Sequence, residues 1–468
     1  MISNKLALDI INTALKTGGD FAEIYIENID STTFRIENTK VDSLVSPKKI
    51  GCGIRILKDL QSVYGYTNDL SKKSLLKLAD DLSKRFNGEQ KIKLSNFKPL
   101  KHAKQISHME IPFDQVDKKE IIEFLKDGEK QMRDYSSDIV RTSASLFYEY
   151  SLITIFNSNG LHIDDHRNIA RIGASCVASK DNKVQPQFVA KGTKAGWEFF
   201  KNEINFNEMC HKNAELCITM LNAKECPSGK MPVVIGNGWG GVLFHESCGH
   251  PLEASGVSKG LSCFAGKLYQ PIASPIVNAY DDATIPNAWG SSNMDDEGHT
   301  PHKTQLIKNG ICVDYLTDSF NGRRMKKPEN GASRRQDFKY EPTSRMSNTY
   351  IDNGTSTKDE IIKATKLGLY CVSFNGGSVD PSTGEFNFGA SEAYIIRDGK
   401  ICEPVRGATL IGKGDEILFN IDMIANDLDL ADGMCGAASG SIPVQVGQPT
   451  LRIKEITVGG AGGKLKWK

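Results

Sequence analysis

The first half of the chain alternates segments of helical periodicity with segments in which apolar and polar residues alternate. Apolar residues three and four positions apart predict helices around 6–15, 71–82, 121–125 and 206–221. Period-two alternation predicts strands at 21–26, 33–37, 53–57, 62–66, 139–147, 151–156 and 170–178. A polar, lysine-rich stretch over 87–114 is expected to connect the two groups of elements. These patterns predict an α+β N-terminal domain.

The order helix, strands, helix occurs twice in this half of the chain. Residues 36–40 (Ile-Glu-Asn-Thr-Lys) also loosely echo residues 155–159 (Ile-Phe-Asn-Ser-Asn). A duplicated module of about 100 to 120 residues would explain both observations. Because the identity is low, coincidence explains them equally well, and the pattern leaves both interpretations open.

The residue pattern changes in the second half of the chain. Residues 223–230 combine Pro, Gly and small polar side chains, which predicts a boundary between an N-terminal domain of 1–224 and a C-terminal domain of 225–468. Asn309-Gly310 and Asp398-Gly399 then predict tight hairpins between short strands. Helices are expected only at 358–367 and around His245. The predicted fold class is α+β, with a larger, β-dominated C-terminal domain that carries the helix around His245.

Composition narrows the classes of function. Lys plus Arg is 58 and Asp plus Glu is 57, a formal net charge of +1, which argues against a strongly basic nucleic-acid-binding surface. Apolar runs such as 231–235 are too short to cross about 30 Å of hydrocarbon, so no membrane partner is expected. The first residues lack the apolar core of a signal peptide, and the eleven cysteines include no Cys-x-x-Cys pair. Both features predict a cytoplasmic protein with reduced thiols.

The strongest local signal for chemistry lies within 231–253. A short apolar run enters a glycine-rich turn, and the helix predicted after it carries His245, Glu246 and His250. Zinc hydrolases commonly use three protein ligands, leave one position for water and place a Glu beside it as the general base. In the familiar His-Glu-x-x-His arrangement, the two histidines share one helical face at positions i and i+4.

Here the two histidines are five residues apart. On a regular helix, His245 and His250 would point about 140° away from each other and could not bind one ion. A π-bulge adds one residue to a turn and would realign them. Gly249 tolerates such a distortion, and Pro251 disfavours the α conformation at the residue before it. We predict a helix that is distorted or ends at Gly249-His250.

From spacing alone, other interpretations stay open. His245 and His250 could be a buried structural pair. The glycine-rich segment 236–241 lacks the Lys-Ser/Thr ending of a phosphate-binding loop, so we interpret it as a turn.

A second set of polar residues follows downstream. His299 and His302 come shortly after the acidic run 295–297 and offer an alternative metal set, although surface or structural roles are favoured. Cys248 and Cys263 are expected to be structural thiols.

The wider sequence resembles the TldD/PmbA family of metallopeptidases, in the TldD-like branch that keeps the metal motif. The motifs that carry the resemblance occur in the family's order and are His245-Glu246-x-x-x-His250-Pro251-Leu252-Glu253, Asp281-Asp282-Ala-Thr-Ile-Pro, Asp296-Glu297-Gly298, Leu306-Ile-Lys-Asn-Gly310, Asn321-Gly-Arg323-Arg324, Arg345-Met-Ser-Asn348, Gly376-Gly-Ser-Val379 through Gly384-Glu-Phe-Asn-Phe388, Pro404-Val-Arg-Gly407 and Thr457-Val-Gly-Gly460.

The resemblance implies a zinc peptidase with His245, His250 and Cys435 as metal ligands and Glu246 as the catalytic base. Cys435 lies in the Cys-Gly context of the family's third ligand. The family more often continues Lys-x-Gly-Gln at that point, whereas this chain has Ala437-Ala438-Ser439-Gly440. The departure puts the local loop geometry or substrate contacts in question.

The resemblance also implies substrates and partners. Unfolded or short peptides are the expected substrates, and strand addition is the expected mode of binding. The expected assembly is a homodimer or a heterodimer with a paralogue that lacks the metal motif.

Arg323 and Arg324 are candidates for binding a peptide carboxylate. Glu253, Asp281 and Asp282 are candidates for orienting the ligand histidines.

Two alternatives to an enzyme remain at this point. The family's old description implies a non-enzymatic modulator of DNA gyrase, which the intact metal motif and near-neutral charge disfavour. A binding protein could instead hold a closed, structural metal site, with a fourth protein ligand such as Cys263 or His299 in place of water.

Overall fold

The computed structural model describes residues 2–380 and 382–466, so Met1, Pro381, Trp467 and Lys468 of the two predicted domains lie outside the described residues. The described chain is a mixed α+β fold, as predicted. Its N-terminal strands are β1 (Phe21–Glu37), β2 (Lys40–Val45), β3 (Lys48–Lys58), β4 (Gln61–Thr67), β5 (Lys101–His102), β6 (Ile139–Asn157), β7 (His162–Lys180) and β8 (Lys183–Thr193). Its N-terminal helices are α1 (Asn4–Leu15), α2 (Lys72–Ser83), α3 (Lys118–Arg133) and α4 (Phe206–Asn222).

The N-terminal strands form one sheet with the order β4-β3-β1-β6-β7-β8, while β2 pairs with β1 and the short β5 pairs with β7. The segments predicted as two strands at 21–26 and 33–37 are one strand of 17 residues, and those at 139–147 and 151–156 are one strand of 19 residues. The pairing of β1 with β6 runs through 15 aligned positions, from Glu23 opposite Asn157 to Glu37 opposite Ser143. Long pairing of this kind keeps the polar middle of each strand extended.

Strand β8 was not predicted. Its alternation is weak because Lys183, Gln185 and Pro186 interrupt the apolar positions. Proline is tolerated there because β8 is an edge strand of this sheet and pairs only with β7.

The elements of this sheet repeat in sequence order. Helix α1, strands β1, β3 and β4, and helix α2 are followed by helix α3, strands β6, β7 and β8, and helix α4. The central strands of the two halves, β1 and β6, lie side by side in the sheet. The order is compatible with the duplication considered above, which stays a prediction, as does the boundary at 224.

The two faces of the N-terminal sheet have different coverings. Ala22, Ile24 and Ile26 of β1 pack in one core cluster with residues of α1 and α2. Tyr25 points the other way and packs with Met294 and Phe338, which come from the C-terminal half. Successive side chains of a strand alternate between faces, so the even positions of β1 face the helices and the odd positions face the C-terminal half.

Buried ion pairs join the sheet to the C-terminal half. Glu23 Oε1 accepts a hydrogen bond from Arg335 Nη2 at 2.7 Å, and Glu23 Oε2 accepts one from Arg55 Nη2 at 3.1 Å. Arg55 Nη2 also donates to Glu297 Oε1 at 2.5 Å. All four side chains are at most 2% exposed. Opposite charges therefore meet across the junction of the two halves.

The C-terminal half contains a closed barrel and a second sheet. Its strands are β9 (Lys224–Glu225), β10 (Gly229–Ile235), β11 (Ala279–Asp282), β12 (Lys303–Lys308), β13 (Ile311–Cys312), β14 (Ser333–Arg334), β15 (Thr343–Ser344), β16 (Asn348–Ile351), β17 (Leu367–Val379), β18 (Glu385–Arg397), β19 (Lys400–Arg406), β20 (Thr409–Lys413), β21 (Ile421–Ile424), β22 (Asp429–Ala437), β23 (Gly440–Gln448) and β24 (Leu451–Gly459). Strands β17, β10, β24, β20 and β18 pair in that order, and β18 pairs again with β17 to close the barrel. The second sheet has the order β13-β12-β11-β16-β23-β22.

The predicted hairpins and one predicted helix of this half are present. Lys308 pairs with Ile311 across Asn309-Gly310, and Arg397 pairs with Lys400 across Asp398-Gly399. The helix expected at 358–367 is α8 (Lys358–Ala364), and it begins with a capping box at Thr357.

The expectation of only two helical segments in this half was wrong. The predicted helix around His245 is present as α5 (Val242–Phe244) with the turn that follows it, and the additional helices are α6 (Ala254–Val257), α7 (Ser319–Met325) and α9 (Gly414–Ile417). Helix α7 begins at Asp318, whose side chain accepts a hydrogen bond from the Asn321 amide. These helices are too short to show a clear apolar period. No helix within residues 2–380 and 382–466 is both long enough and apolar enough to cross a membrane.

Replacing Glu23 by Gln should destabilise the protein by about 3 to 5 kcal/mol, because Arg335 would lose its carboxylate partner and Arg55 one of its two while both remain buried. Denaturant unfolding of both proteins measures the difference. Glu123→Gln is a matched control: Glu123 pairs with Lys126 at 2.9 Å, but its side chain is 66% exposed. This control should change stability by less than about 1 kcal/mol. Equal effects of the two substitutions would contradict a special role for the buried pairs.

Candidate metal centre

The glycine-rich segment after β10 is a tight turn that brings a helix against the neighbouring sheet. Residues Gly238–Gly241 form a 3₁₀ turn directly before α5. A Cβ atom on Gly241 would lie only 2.4 Å from the backbone nitrogen of Gly447 in β23. Glycine is therefore needed for close packing, in agreement with the interpretation of this segment as a turn.

The helix then contains the predicted distortion. Residues His245–Gly249 form a π-helical turn, in which the amide of His250 donates to the carbonyl of His245 five residues earlier. A 3₁₀ turn follows at His250–Leu252 and includes Pro251. The extra residue places both imidazoles on one side of the helix, with ring centroids 5.0 Å apart.

Gly249 allows this turn to pack tightly. A Cβ atom at this position would lie 2.1 Å from Sδ of the buried Met346. A larger residue would push the π turn away from the segment that precedes β16. Glycine at position 249 is therefore favoured both by the π turn and by the close packing against Met346.

Cys435 reaches the two histidines from the second sheet. It lies in β22 and pairs with Ile442 of β23. Its Sγ is 3.3 Å from His245 Nε2 and 3.2 Å from His250 Nε2. The side chains of His245, His250 and Cys435 thus present three ligand atoms that all lie within 4.8 Å of one another.

The segment that departs from the family pattern closes the hairpin that carries Cys435. Ala437 pairs with Gly440, so Ala438 and Ser439 form a two-residue turn. Gly440 has a φ of +90°, which suits glycine. Ser439 is fully buried, whereas Ala437 is exposed, so the departure affects both the packing and the exposed surface of the hairpin.

Arg345 holds this hairpin, and sequence reasoning missed it. The guanidinium donates to the Cys435 carbonyl at 2.6 Å, to Ser439 Oγ at 2.9 Å and to the Gly440 carbonyl at 3.0 Å. Its Nε also lies 3.8 Å from Glu253 Oε1. Arg345 belongs to a family motif, but nothing in its sequence context indicates a buried arginine.

One of the three candidate orienting carboxylates contacts a ligand histidine. Glu253 Oε2 lies 3.2 Å from His250 Nδ1, which directs His250 Nε2 toward Cys435. Asp281 instead accepts hydrogen bonds from Ser347 and Thr349, and Asp282 from Thr284.

The electrostatics favour a thiolate between the two imidazoles. Burial opposes ionisation of Cys435, but the charge of His245 and hydrogen bonds from both rings lower the pKa of the thiol to about 4. Burial also opposes the charged form of His250, yet Glu253 and Cys435 raise the pKa of the imidazole. Since the thiolate is the form that binds metals, the charge state of Cys435 suits a metal ligand.

The donor set fits zinc. Two imidazole nitrogens and one thiolate are ligands that Zn²⁺ prefers. At ordinary zinc bond lengths, tetrahedral nitrogen and sulfur ligands lie about 3.5 Å apart, close to the separations seen here. The side chains of His245, His250 and Cys435 would hold the ion without a change of fold.

The centre faces a cleft of about 1200 Å³. Glu246 lines this cleft, with Oε2 3.9 Å from His250 Nε2. Burial raises the pKa of the Glu246 carboxyl, against the opposing effect of the two imidazoles. Within the described part of the chain, no fourth His, Cys, Asp or Glu joins the three ligand atoms, and neither Cys263 nor His299 does so. The fourth side is therefore available to substrate or water.

The downstream acidic residues form a separate cluster. Ligand atoms of Asp295, Glu297 and His299 lie within 4.8 Å of one another, whereas His302 is not part of the group. Glu297 already pairs with Arg55 and accepts from the Ser319 amide. Asp295 accepts from backbone amides, including that of His299 at 2.8 Å. These contacts favour a structural role, as expected.

The structure does not bring Arg323 and Arg324 to the cleft. Arg323 pairs with Asp20, and Arg324 donates to the Leu60 carbonyl at 3.5 Å. Both partners belong to the N-terminal sheet region. The two arginines lie at the junction of the two halves, and their role in binding a peptide carboxylate stays a prediction.

Family profiles cover most of the chain. The PmbA/TldA metallopeptidase domain 1 matches residues 22–85, the central domain matches 111–221 and the C-terminal domain matches 228–460. The chain belongs to the TldD/PmbA family of metallopeptidases. The Haemophilus influenzae protein named "Metalloprotease TldD homolog" is 33% identical, covering 98% of this chain and 97% of its own. The enzyme class predicted from the motifs is therefore confirmed as metalloprotease.

One further relative and one solved structure are also similar to this chain. The Saccharolobus solfataricus protein named "Zinc metalloprotease TldD homolog" is 28% identical, over 57% of this chain and 60% of its own. A crystal structure from Bacteroides thetaiotaomicron, of a protein described as a candidate modulator of DNA gyrase, matches with a TM-score of 0.77. It is 19% identical and covers 98% of this chain and 100% of its own. This likeness confirms the TldD/PmbA fold.

Replacing Glu253 by Gln should weaken zinc binding about 10- to 100-fold, because His250 would lose the carboxylate that orients its ring. Competition with a chromophoric chelator measures the affinity. Glu416→Gln provides a control, since Glu416 is exposed and lies outside the metal centre. Unchanged affinity in Glu253→Gln would contradict the orienting role of this carboxylate.

Proposed function

We propose that this metalloprotease is a zinc-dependent peptidase that hydrolyses unfolded or short peptides. His245, His250 and Cys435 are the metal ligands, and Glu246 is the general base. The proposal is carried by the convergence of two imidazole nitrogens and one thiolate beside a carboxylate at the floor of an open cleft. The printed name of the Saccharolobus relative supports zinc as the metal.

His245, His250 and Cys435 would hold the zinc ion, which would supply a Lewis acid for the activation of water and the polarisation of a peptide carbonyl. Glu246 accepts the proton of the attacking water and then delivers it to the nitrogen of the leaving amine. Partial burial suits this task, because it raises the pKa of Glu246 toward neutrality. The carboxylate can reach both atoms because it lies next to His250 and faces the cleft.

Two further side chains keep the ligands in place. Glu253 holds the ring of His250 through Nδ1, and Arg345 holds the backbone of Cys435. The 3.8 Å contact between Arg345 and Glu253 connects the two supports. A ligand from the distorted helix and a ligand from the hairpin are thus positioned by one chain of contacts.

The cleft suits an extended peptide. It is lined by residues 186–190 of the edge strand β8 and by residues 373–379 of β17. Strand β17 pairs with β10 only over Leu369–Cys371, so its later part has one free edge. Backbone pairing with such an edge makes few demands on side chains and excludes folded proteins, whose backbone is already paired.

We also propose a dimer in the cytoplasm, formed with a second copy or with a paralogue that lacks the metal motif. All eleven cysteines are free, which suits a reducing compartment. Val140 on β6 and Val184 on β8, two strands of the N-terminal sheet that are separated by β7, are 59% and 58% exposed and offer apolar contact area for a partner. Light scattering on the purified chain should give a mass of twice 51.4 kDa for the homodimer, whereas a monomer mass would leave only the heterodimer.

Replacing Glu246 by Gln should lower peptide hydrolysis about 10²- to 10⁴-fold, because glutamine cannot accept the proton. Zinc content should stay the same, since Glu246 is not a ligand in this proposal. The rate of cleavage of an unstructured peptide and the zinc content of the same preparation are the two measurements. Glu416→Gln should retain both activity and zinc. Full activity in Glu246→Gln would contradict the proposed base.

Removal of the metal with a chelator tests the role of zinc independently of the role of Glu246. Removal of zinc from the parent protein should abolish hydrolysis, and readdition should restore it. If the metal is structural and the protein only binds its partners, the purified protein should contain zinc but show no chelator-sensitive hydrolysis. That result would overturn the proposed function.

A further inference from the structure

A second cavity, of about 510 Å³, lies beside the metal cleft. It is enclosed by β1, β6 and β7 of the N-terminal sheet and by residues 289–296 and 334–337 of the C-terminal half. Arg171, Phe188, Ala190 and Met434 line both spaces. Because Met434 directly precedes Cys435, the two spaces meet next to a metal ligand.

The cavity contains a buried lysine without a partner. Lys194 is 8% exposed and lines the cavity. Its backbone amide donates to the Asn287 carbonyl at 3.0 Å, but its ammonium group makes no hydrogen bond or ion pair within residues 2–380 and 382–466. Burial, together with repulsion from Arg167 and Arg334, lowers the pKa of Lys194 to about 7.

Two other cations at the cavity also lack carboxylate partners. Arg334 donates to the carbonyls of Met346 and Pro443 at 2.6 and 2.8 Å, and burial lowers its pKa to about 10. Arg171 donates to the backbone carbonyl of Asp432 at 3.1 Å, and burial lowers its pKa as well. Neither forms an ion pair with the described residues.

Six cationic side chains line the cavity, against five carboxyl groups, which are those of Glu27, Glu149, Asp295, Asp296 and Asp337. Asp296 is already paired with Arg167 at 2.6 Å. Burial raises the pKa of Glu27 to about 8, so this carboxyl is largely protonated at neutral pH. The cavity therefore holds an excess of positive charge in a desolvated site, which is costly unless an anion joins it.

We infer that this cavity binds a carboxylate group of the peptide that lies in the metal cleft, with Lys194 as its main partner. The carboxylate is either the free carboxyl terminus or an acidic side chain near that end. Carboxylate oxygens accept charge-assisted hydrogen bonds from ammonium and guanidinium groups, which are the groups that lack anionic partners here. The inference rests on the proposed function in placing a peptide in the cleft. It names the class of peptide that the enzyme prefers.

The test measures binding without hydrolysis. Zinc-loaded Glu246→Gln protein is titrated calorimetrically with an unstructured hexapeptide that has an acetylated amino end. Three forms are compared: the free acid, the carboxyl-terminal amide, and an amide with Glu as its last residue. We expect the free acid to bind about 10- to 150-fold more tightly than the plain amide. Adding Lys194→Met should reduce this difference to a few fold.

A matched control removes the same charge at the far end of β8, the strand that ends just before Lys194. Lys183 begins β8, is exposed and lies outside both spaces, so Lys183→Met should keep the preference for the free acid. Tight binding of the Glu-ended amide would identify an acidic side chain as an additional source of the carboxylate. Its weak binding would restrict the site to the terminus. Either result supports the inference.

Stability gives a second measurement. Lys194→Met removes an unpaired buried cation and replaces it by an apolar chain of similar length, so the unfolding temperature should not fall. A clear fall would show that Lys194 has a structural partner and would overturn the inference. Equal binding of the free acid, the plain amide and the Glu-ended amide, or a preference for a carboxylate that survives Lys194→Met, would also overturn it.

The outcomes separate this inference from the proposed function. If the parent protein fails to cleave peptides while the Lys194-dependent preference is observed, the peptidase proposal fails and the carboxylate site stands. If peptides are cleaved but no preference exists, the peptidase proposal stands and the carboxylate site fails.

Discussion

The spacing of five residues between His245 and His250 is the constraint on which the candidate metal centre depends. On a regular helix the two rings would diverge, and Cys435 could approach only one of them. The π turn His245–Gly249 removes this conflict by adding one residue to the turn. It does so next to Met346, where only glycine fits at position 249. Proposed metal ligation, helix geometry and close packing thus all require the same π turn, with glycine at position 249.

The distorted turn needs a fixed counterpart, which the second sheet provides. Cys435 lies on a hairpin whose turn is held by Arg345, and Arg345 also approaches Glu253, the partner of His250. An unpaired arginine would be costly at this depth. Its bonds to Ser439 Oγ and to the carbonyls of Cys435 and Gly440 satisfy both Nη groups and define where the thiolate lies. The polar network therefore gives the centre a single geometry.

The sequence predicted the elements whose cause is local. The alternation of β1, the helix α4, the hairpins at Asn309-Gly310 and Asp398-Gly399, and the distortion at Gly249 all follow from short-range periodicity or turn chemistry. The family resemblance supplied Cys435, which spacing alone could not distinguish among eleven cysteines. Arg345 was missed because its role arises from three acceptors 90 to 95 residues away. Long-range contacts of this kind leave no local pattern.

Alternation also shows which residues share a face, but not what covers that face. Glu23 and Glu27 occupy polar positions of β1, yet both are buried against the C-terminal half. Glu23 is paired with Arg335, whereas Glu27 accepts the Phe338 amide at 3.0 Å and has a raised pKa. The same strand thus joins the two halves and borders the cavity that contains Lys194. Because the residues of β1 that fix the two halves also shape the space beside the metal cleft, the junction that stabilises the fold also sets the charge that a bound peptide meets.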